Sequence, residues 1–186
     1  MRIITLLSMA FLLAACMNAT GTTLGPARAE GDRQDTLIVS DGERDPLIGQ
    51  RFLNVREADP KGRMHSLSDY AGRGKWVLVD FWASWCRPCQ REMPYVVAAY
   101  KKYHRGGLEI VGFSFDENED DWKEAIKEWN MPWVHLSDLK FWSSEAGKVY
   151  GVSQIPDNIL INPDGIIVAR DLRGTELEEF LSGIFD

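Results

Sequence analysis

Cysteine is scarce in this chain. Three of its 186 residues are cysteine, too few for the multi-disulfide framework that stabilises many small exported domains. Histidine is equally rare, with three residues. His65, His104 and His135 are scattered, and no second Cys-x-x-Cys stands beside the one formed by Cys86 and Cys89, so a zinc set is incomplete. A basic excess is missing as well: 21 Lys and Arg face 28 Asp and Glu, for a formal net charge of −7. That balance argues against nucleic acid, whose phosphates need a basic face, and against electrostatic docking on anionic lipid. The apolar run at 3–15 is short of the roughly 20 residues that span a bilayer.

What is present divides the chain in three. "MRIITLLSMAFLLAAC" places Arg2 before an apolar run that ends in small residues, the pattern of a secretory signal peptide. Leu13-Ala14-Ala15-Cys16 resembles a bacterial lipobox, which implies cleavage before Cys16 and a lipid on its sulfur. A plain signal peptide with an incidental Cys16 is the alternative. An acylated Cys16 cannot pair, so Cys86 and Cys89 are left as the one available pair, in an exported and oxidising setting. Residues 16–45 are rich in Gly, Thr, Ala and charge and read as a flexible tether, with a possible short strand at 36–39. Residues 46–186 are long enough for one domain with a real core.

That domain alternates strand and helix patterns. "RFLNV" reads as a strand, with a turn at "DPKGR" and a return near Met64. "SLSDY" suggests one helical turn. "KWVLVDFW" and "LEIVGFSF" are near-continuous apolar runs, as expected of central strands buried on both faces. A helix is expected from about 87 to 103, interrupted by Pro94. "NEDDWKEAIKEW" places Trp122, Ile126 and Trp129 on one helical face. "WVHL" reads as a strand and "SSEAGKVYG" as a short helix. "NILIN", the turn "NPDG" and "IIVAR" form a hairpin. "TELEEFLSGIF" is a last helix with Thr175 and Glu178 as a capping box. The order implies a mixed α/β sheet with helices on both faces, preceded by an N-terminal hairpin.

Cys86-Arg87-Pro88-Cys89 falls where the strand "KWVLVDFW" gives way to a helix. A helix start offers unpaired N–H groups and the positive end of the macrodipole, which together favour a thiolate. Pro88 fits a first turn, where its missing N–H costs nothing. A second thiol within reach of the first can attack a mixed disulfide and release the substrate. An inert structural disulfide is the plainer reading, but a two-residue loop constrains the unfolded chain little. Asp80 is an acid inside an apolar strand, where desolvation raises its pKa toward a base's working range. A hydrogen-bonded structural carboxylate is its alternative.

"VLVDFWASWCRPCQREMP", the leading segment from Phe52 and the trailing "YGVSQIPDNILINPDGIIVARDLRG" resemble the exported TlpA/ResA branch of thioredoxin-like thiol-disulfide oxidoreductases, over residues 47–186. The resemblance implies a three-layer α/β sandwich with a central insertion at 115–142. It implies that Cys86 is the exposed nucleophile, Cys89 the resolving thiol and Asp80 the buried proton acceptor. Pro156 matches the family's cis-proline, and Ile155 the residue whose backbone meets a bound substrate strand. Trp82 and Trp85 match the aromatic rim, Trp85 as partner surface and Trp82 as core. Pro94 matches a helix-kinking proline. Arg87 stands where many relatives carry glycine; a cation there favours the Cys86 thiolate and makes the disulfide more oxidising. The acidic run "DENEDD" at 116–121 reads as a solvated helix start.

The expected activity is exchange of disulfides with protein substrates, as a reductant, by a lipid-anchored monomer in the envelope of a bacterium, facing the periplasm. A membrane thiol-disulfide reductase would restore the dithiol. No organic cofactor, metal or nucleic acid is expected. A peroxiredoxin-like peroxide reductase is a second reading, but Ala83 and Val79 stand where that chemistry needs Thr or Ser and a proline. A copper-binding protein on the same fold is a third; its cysteines are spaced by three residues rather than two and joined by a distant histidine.

Overall fold

The sheet is built around a strand that water does not reach. The computed structural model describes residues 45–186; the expected signal segment, Cys16, nearly all of the tether and the possible strand at 36–39 lie outside the described residues. Strand β3 (Trp76–Trp82) is buried from Val77 onward. Its Val, Leu and aromatic residues are strand formers that fill both faces of a pleated surface. Strand β4 (Leu108–Ser114) runs parallel to it, with Asp80 opposite Gly112. Strand β5 (Val134–Leu136) is parallel to β4, and β6 (Asp157–Ile161) is antiparallel to β3. Strand β7 (Ile167–Arg170) closes a hairpin with β6, giving the order β5-β4-β3-β6-β7. A separate two-stranded hairpin, β1 (Arg56–Ala58) with β2 (Met64–Ser66), precedes them.

Four helices complete the layers: α1 (Arg87–Tyr103), α2 (Glu119–Glu128), α3 (Glu145–Val149) and α4 (Gly174–Phe185). Alternation along β3 sends Trp82 and Phe81 to opposite faces. Trp82 meets Trp129, just beyond α2, at 5.4 Å and His135 of β5 at 5.4 Å, while Trp133 meets Tyr100 of α1 at 5.4 Å. On the other face Phe81 packs against Tyr150, just beyond α3, at 5.6 Å. The segment at 115–142 supplies α2 and the edge strand β5. Asn118 caps α2 by accepting from the N–H groups of Asp120 and Asp121, as its short side chain favours.

Five local expectations differ from the structure. "RFLNV" is not a strand: Arg51 makes a single bridge to Ile166, and the groups after it bond elsewhere. Phe52 N–H donates to the Gly165 carbonyl at 2.9 Å, and the Leu53 carbonyl accepts the Tyr150 hydroxyl at 2.5 Å. Pro94 lies inside a helix that runs on to Tyr103 without interruption. The expected box at Thr175 and Glu178 is absent. Arg173 is the N-cap of α4, and Glu178 instead accepts from Lys102 Nζ and the Tyr103 hydroxyl, each at 2.9 Å. Asp69 plays that part at the 3₁₀ turn Leu67–Asp69, accepting the Ser66 N–H at 2.8 Å. Asp116, expected in solvent, is buried. Helix α3 ends at Val149, short of Gly151, which turns the chain at φ +62°.

Gly112 is one of the tightest points of the core. It sits between Asp80 and His135 across three strands. A methyl at this position would lie 2.7 Å from His135 Nδ1 and 3.0 Å from Trp82 Nε1. Both rings are buried and packed against others, so neither moves freely. Gly112→Ala is therefore expected to lower stability by about 1–3 kcal/mol, read as a lower urea midpoint; an unchanged midpoint means that the His135 and Trp82 rings shift at no cost.

Candidate active site

Cys86 is the N-cap of α1, with extended backbone angles of φ −84° and ψ 96°. The Cys89 N–H donates to Cys86 Sγ at 3.1 Å. One of the free donors of the first helical turn thus points at the sulfur, the arrangement that stabilises a thiolate. The two sulfurs are joined as a disulfide. Arg87 and Pro88 occupy the first two helical positions, both exposed. Cys86 is less open than expected of a nucleophile: in the disulfide it is 4% exposed, against 1% for Cys89.

Asp80 lies on β3, two residues before Trp82, and is buried. Its Oδ2 meets no hydrogen-bond partner. Burial pushes its carboxyl up to about 7, with Glu92 and Asp157 adding in the same direction and Arg173 opposing. An acid poised near neutrality can both take and return a proton at working pH. Asp157 itself is held by Arg170, whose Nη2 donates at 2.6 Å.

The peptide between Ile155 and Pro156 is cis. Both residues line a groove with Pro88, Arg91, Glu92 and Arg173, so the structure brings this pair beside the cysteine motif. Trp82 is fully buried and Trp85 is 45% exposed, the core and surface positions expected of them. The described helices include none long and apolar enough to cross a membrane.

Three residues of the site, and one further buried acid, escaped the reading of the sequence. Asp116 is one. Both its oxygens lie 3.1 Å from the Ser84 N–H, Oδ1 accepts the Ser84 hydroxyl at 2.6 Å, and Oδ2 accepts the Ser114 hydroxyl at 2.6 Å. It ties the end of β4 to the loop that delivers Trp85 and Cys86. Glu92, six residues after Cys86, accepts the Gly174 N–H at 2.7 Å and joins α1 to the start of α4. Arg173 donates to the Pro156 carbonyl and to Asp171. Glu57 on β1 is a buried acid, raised to about 7 by burial and then by Asp138. The only sequence signal for Glu92 was its helical spacing from the cysteines; the other three depend on chain segments distant from the motif.

The named relatives and solved structures agree on one chemistry. The AhpC/TSA family model matches residues 48–170. The thiol-disulfide oxidoreductase ResA of Bacillus thuringiensis subsp. konkukian is 33% identical over 141 residues, which cover 74% of this chain and 78% of the relative. The solved thioredoxin domain of a thiol-disulfide oxidoreductase from Bacteroides vulgatus is 34% identical with a TM-score of 0.68, covering 75% of this chain and 98% of that one. A solved thiol-disulfide oxidoreductase from Bacteroides fragilis is 31% identical with a TM-score of 0.68, covering 73% and 99%.

Asp80 links the site to stability. Burial raises its carboxyl to about 7 in the folded chain, against an ordinary 3.8. Between those values the unfolded chain has released its proton while the folded chain still holds one. Stability is therefore greatest below pH 4 as far as this group is concerned, and falls as pH rises through 7, by about 4 kcal/mol at most. Asp80→Asn carries no such charge. It is expected to match the unsubstituted chain near pH 4 and exceed it at pH 8, with Glu57 leaving a residual slope in both. Urea midpoints at the two pH values test this; parallel slopes would refute a raised Asp80.

Proposed function

The chain belongs to the AhpC/TSA family as a thioredoxin-like thiol-disulfide oxidoreductase of the ResA kind, and from that premise we propose that it reduces disulfides of exported proteins through Cys86 and Cys89 while anchored by a lipid on Cys16. One arrangement carries the catalytic part: Cys86 caps α1 with the Cys89 N–H on its sulfur, and a buried acid raised to about 7 lies in the strand that leads to it.

In the proposed cycle the Cys86 thiolate attacks one sulfur of a substrate disulfide. That S–S bond breaks, a Cys86–substrate disulfide forms, and the departing substrate sulfur takes up a proton. Cys89 then gives its proton to the Asp80 carboxylate and attacks Cys86 Sγ. The second substrate thiol leaves, and the Cys86–Cys89 disulfide remains. Two electrons pass from the chain to the substrate. Trp85, Ile155 and Pro156 are assigned to the substrate segment, and the exposed Arg87 and Pro88 to tuning the pair. A membrane dithiol reductase would return the electrons; no organic cofactor or metal takes part in this scheme.

For location, the support is in the sequence: Arg2, the apolar run at 3–15 and "LAAC" before Cys16. The proposed arrangement is cleavage before Cys16, a tether over 16–45 and the domain at 46–186 on the periplasmic side. Disulfides accumulate in such compartments, which gives a reductant its substrates.

Cys86→Ser is expected to abolish exchange, and Cys89→Ser to accumulate mixed disulfides with substrate, visible as higher-mass bands lost on reduction. Residual exchange in Cys86→Ser would refute the assignment. Equilibration with glutathione is expected to place the couple near the roughly −270 mV of a thiol reductant; a value near roughly −120 mV would make it an oxidant instead. Cys16→Ser is expected to move the chain from the membrane pellet to the soluble fraction, and an unchanged pellet would count against the lipid.

A further inference from the structure

Three aromatic rings form one surface beside Cys86. Trp85 meets Phe141 at 5.0 Å and Trp142 at 6.1 Å, and the last two are 6.0 Å apart. Trp142 is 41% exposed, and its inner edge rests on buried Phe115 at 5.3 Å. Phe141 between them is half-buried. Rings left in water forgo the stabilisation of burial, so exposed Trp85 and Trp142, joined through Phe141, mark a docking face.

The turn that carries two of these rings is held in a costly shape. Leu139 and Phe141 both lie in the left-handed region, at φ 54° and 53°, which side chains other than glycine's disfavour. Hydrogen bonds secure it at both ends. Ser137 Oγ donates to the Ser114 carbonyl at 2.9 Å and accepts the Leu139 N–H at 3.1 Å. Asp138 accepts from the N–H groups of Lys140 at 3.2 Å and Glu145 at 3.0 Å. Glu57 Oε1 accepts the Ala146 N–H at 3.2 Å. Aromatic anchors on a backbone fixed in advance lose little freedom when a partner docks.

We propose that Trp85, Phe141 and Trp142 are a docking platform for an unfolded polypeptide segment bearing an aromatic or long aliphatic side chain within a few residues of the cysteine to be reduced. The proposal rests on the disulfide-reductase reading above. The occupant follows from continuity: Trp85 is the residue before Cys86, so whatever sulfur reaches Cys86 brings its neighbours to the rings. Folded proteins bury large apolar side chains, and unfolded segments expose them together with their cysteines. Glutathione has no such side chain to offer. A second copy of this chain seated on the rings would cover the approach to Cys86.

The test uses the reduced full chain in single turnover and two short peptides, each with its one cysteine joined to glutathione. One carries Trp three residues to either side of the cysteine, the other Ser. The released peptide thiol is followed by chromatography. The Trp peptide is expected to react at least tenfold faster. Trp142→Ser is expected to remove most of that preference while leaving the rate with glutathione disulfide unchanged, and Trp142→Phe to keep it. Equal rates for the two peptides in the unsubstituted chain, or an equal loss on both in Trp142→Ser, overturns the platform. A dimer in sedimentation that Trp142→Ser dissociates assigns the rings to a second copy and overturns it too. No exchange even with glutathione disulfide overturns the oxidoreductase reading itself.

Discussion

The Cys89 N–H that donates to Cys86 Sγ at 3.1 Å is the contact on which the site depends. It exists because Cys86 is an N-cap, and N-caps exist where a helix starts abruptly. β3 supplies the abruptness: its side chains are buried through Trp82, and the chain then leaves the sheet over a short loop. Pro88 in the first turn favours helix there and gives up no hydrogen bond. Asp116 fixes the intervening loop by taking both donors of Ser84. A shift of this loop would move Cys86 relative to the free N–H groups, and with it the stabilisation of a thiolate.

The charges around Asp80 follow a second constraint. A buried carboxyl paired directly with an arginine is held far below neutrality and is of no use as a base. Here Arg173 lowers Asp80 from a distance while its hydrogen bonds go to the Pro156 carbonyl and Asp171. Arg170 is likewise committed to Asp157 and Asp45. Glu92, which could add a second base, has one oxygen occupied by the Gly174 N–H. Both cations have other partners, and two acids keep a buried oxygen without a hydrogen bond, Asp80 and Glu57; both carboxyls are raised to about 7.

How legible each part was in the sequence depends on how far its causes lie along the chain. β3, β4, the final hairpin and the cysteines at a helix start were readable, because apolar runs, a Pro-Asp-Gly turn and a first-turn proline act within a few residues. "RFLNV" has strand composition, but its groups are taken by Gly165 and Tyr150, about a hundred residues away. Thr175 and Glu178 have the spacing of a capping box, yet Glu178 finds Lys102 and Tyr103 on α1. Asp116 opens an acidic run and so read as solvated, whereas it is the one member of the run that the fold buries. The meeting of Trp85 with Phe141 and Trp142 depends on a turn held from β1, and no local pattern announces it.

Two charges bear on the two cysteines of the proposed cycle, and their surroundings decide which matters more. Arg87 is exposed beside Cys86, where water and salt weaken a unit charge's influence over a few ångströms to about 1 kcal/mol or less. Asp80 is enclosed, where the same charge acts through a much poorer dielectric and no solvent competes for the proton. Cys86 already has the helix start for its thiolate and gains little from Arg87. Cys89, three residues into the same helix and only 1% exposed, is screened from solvent bases, and the proposed cycle gives it an internal one. In the proposed cycle electrostatic control therefore falls on resolution of the mixed disulfide rather than on the first attack, and the buried acid would govern the release of substrate more than its capture.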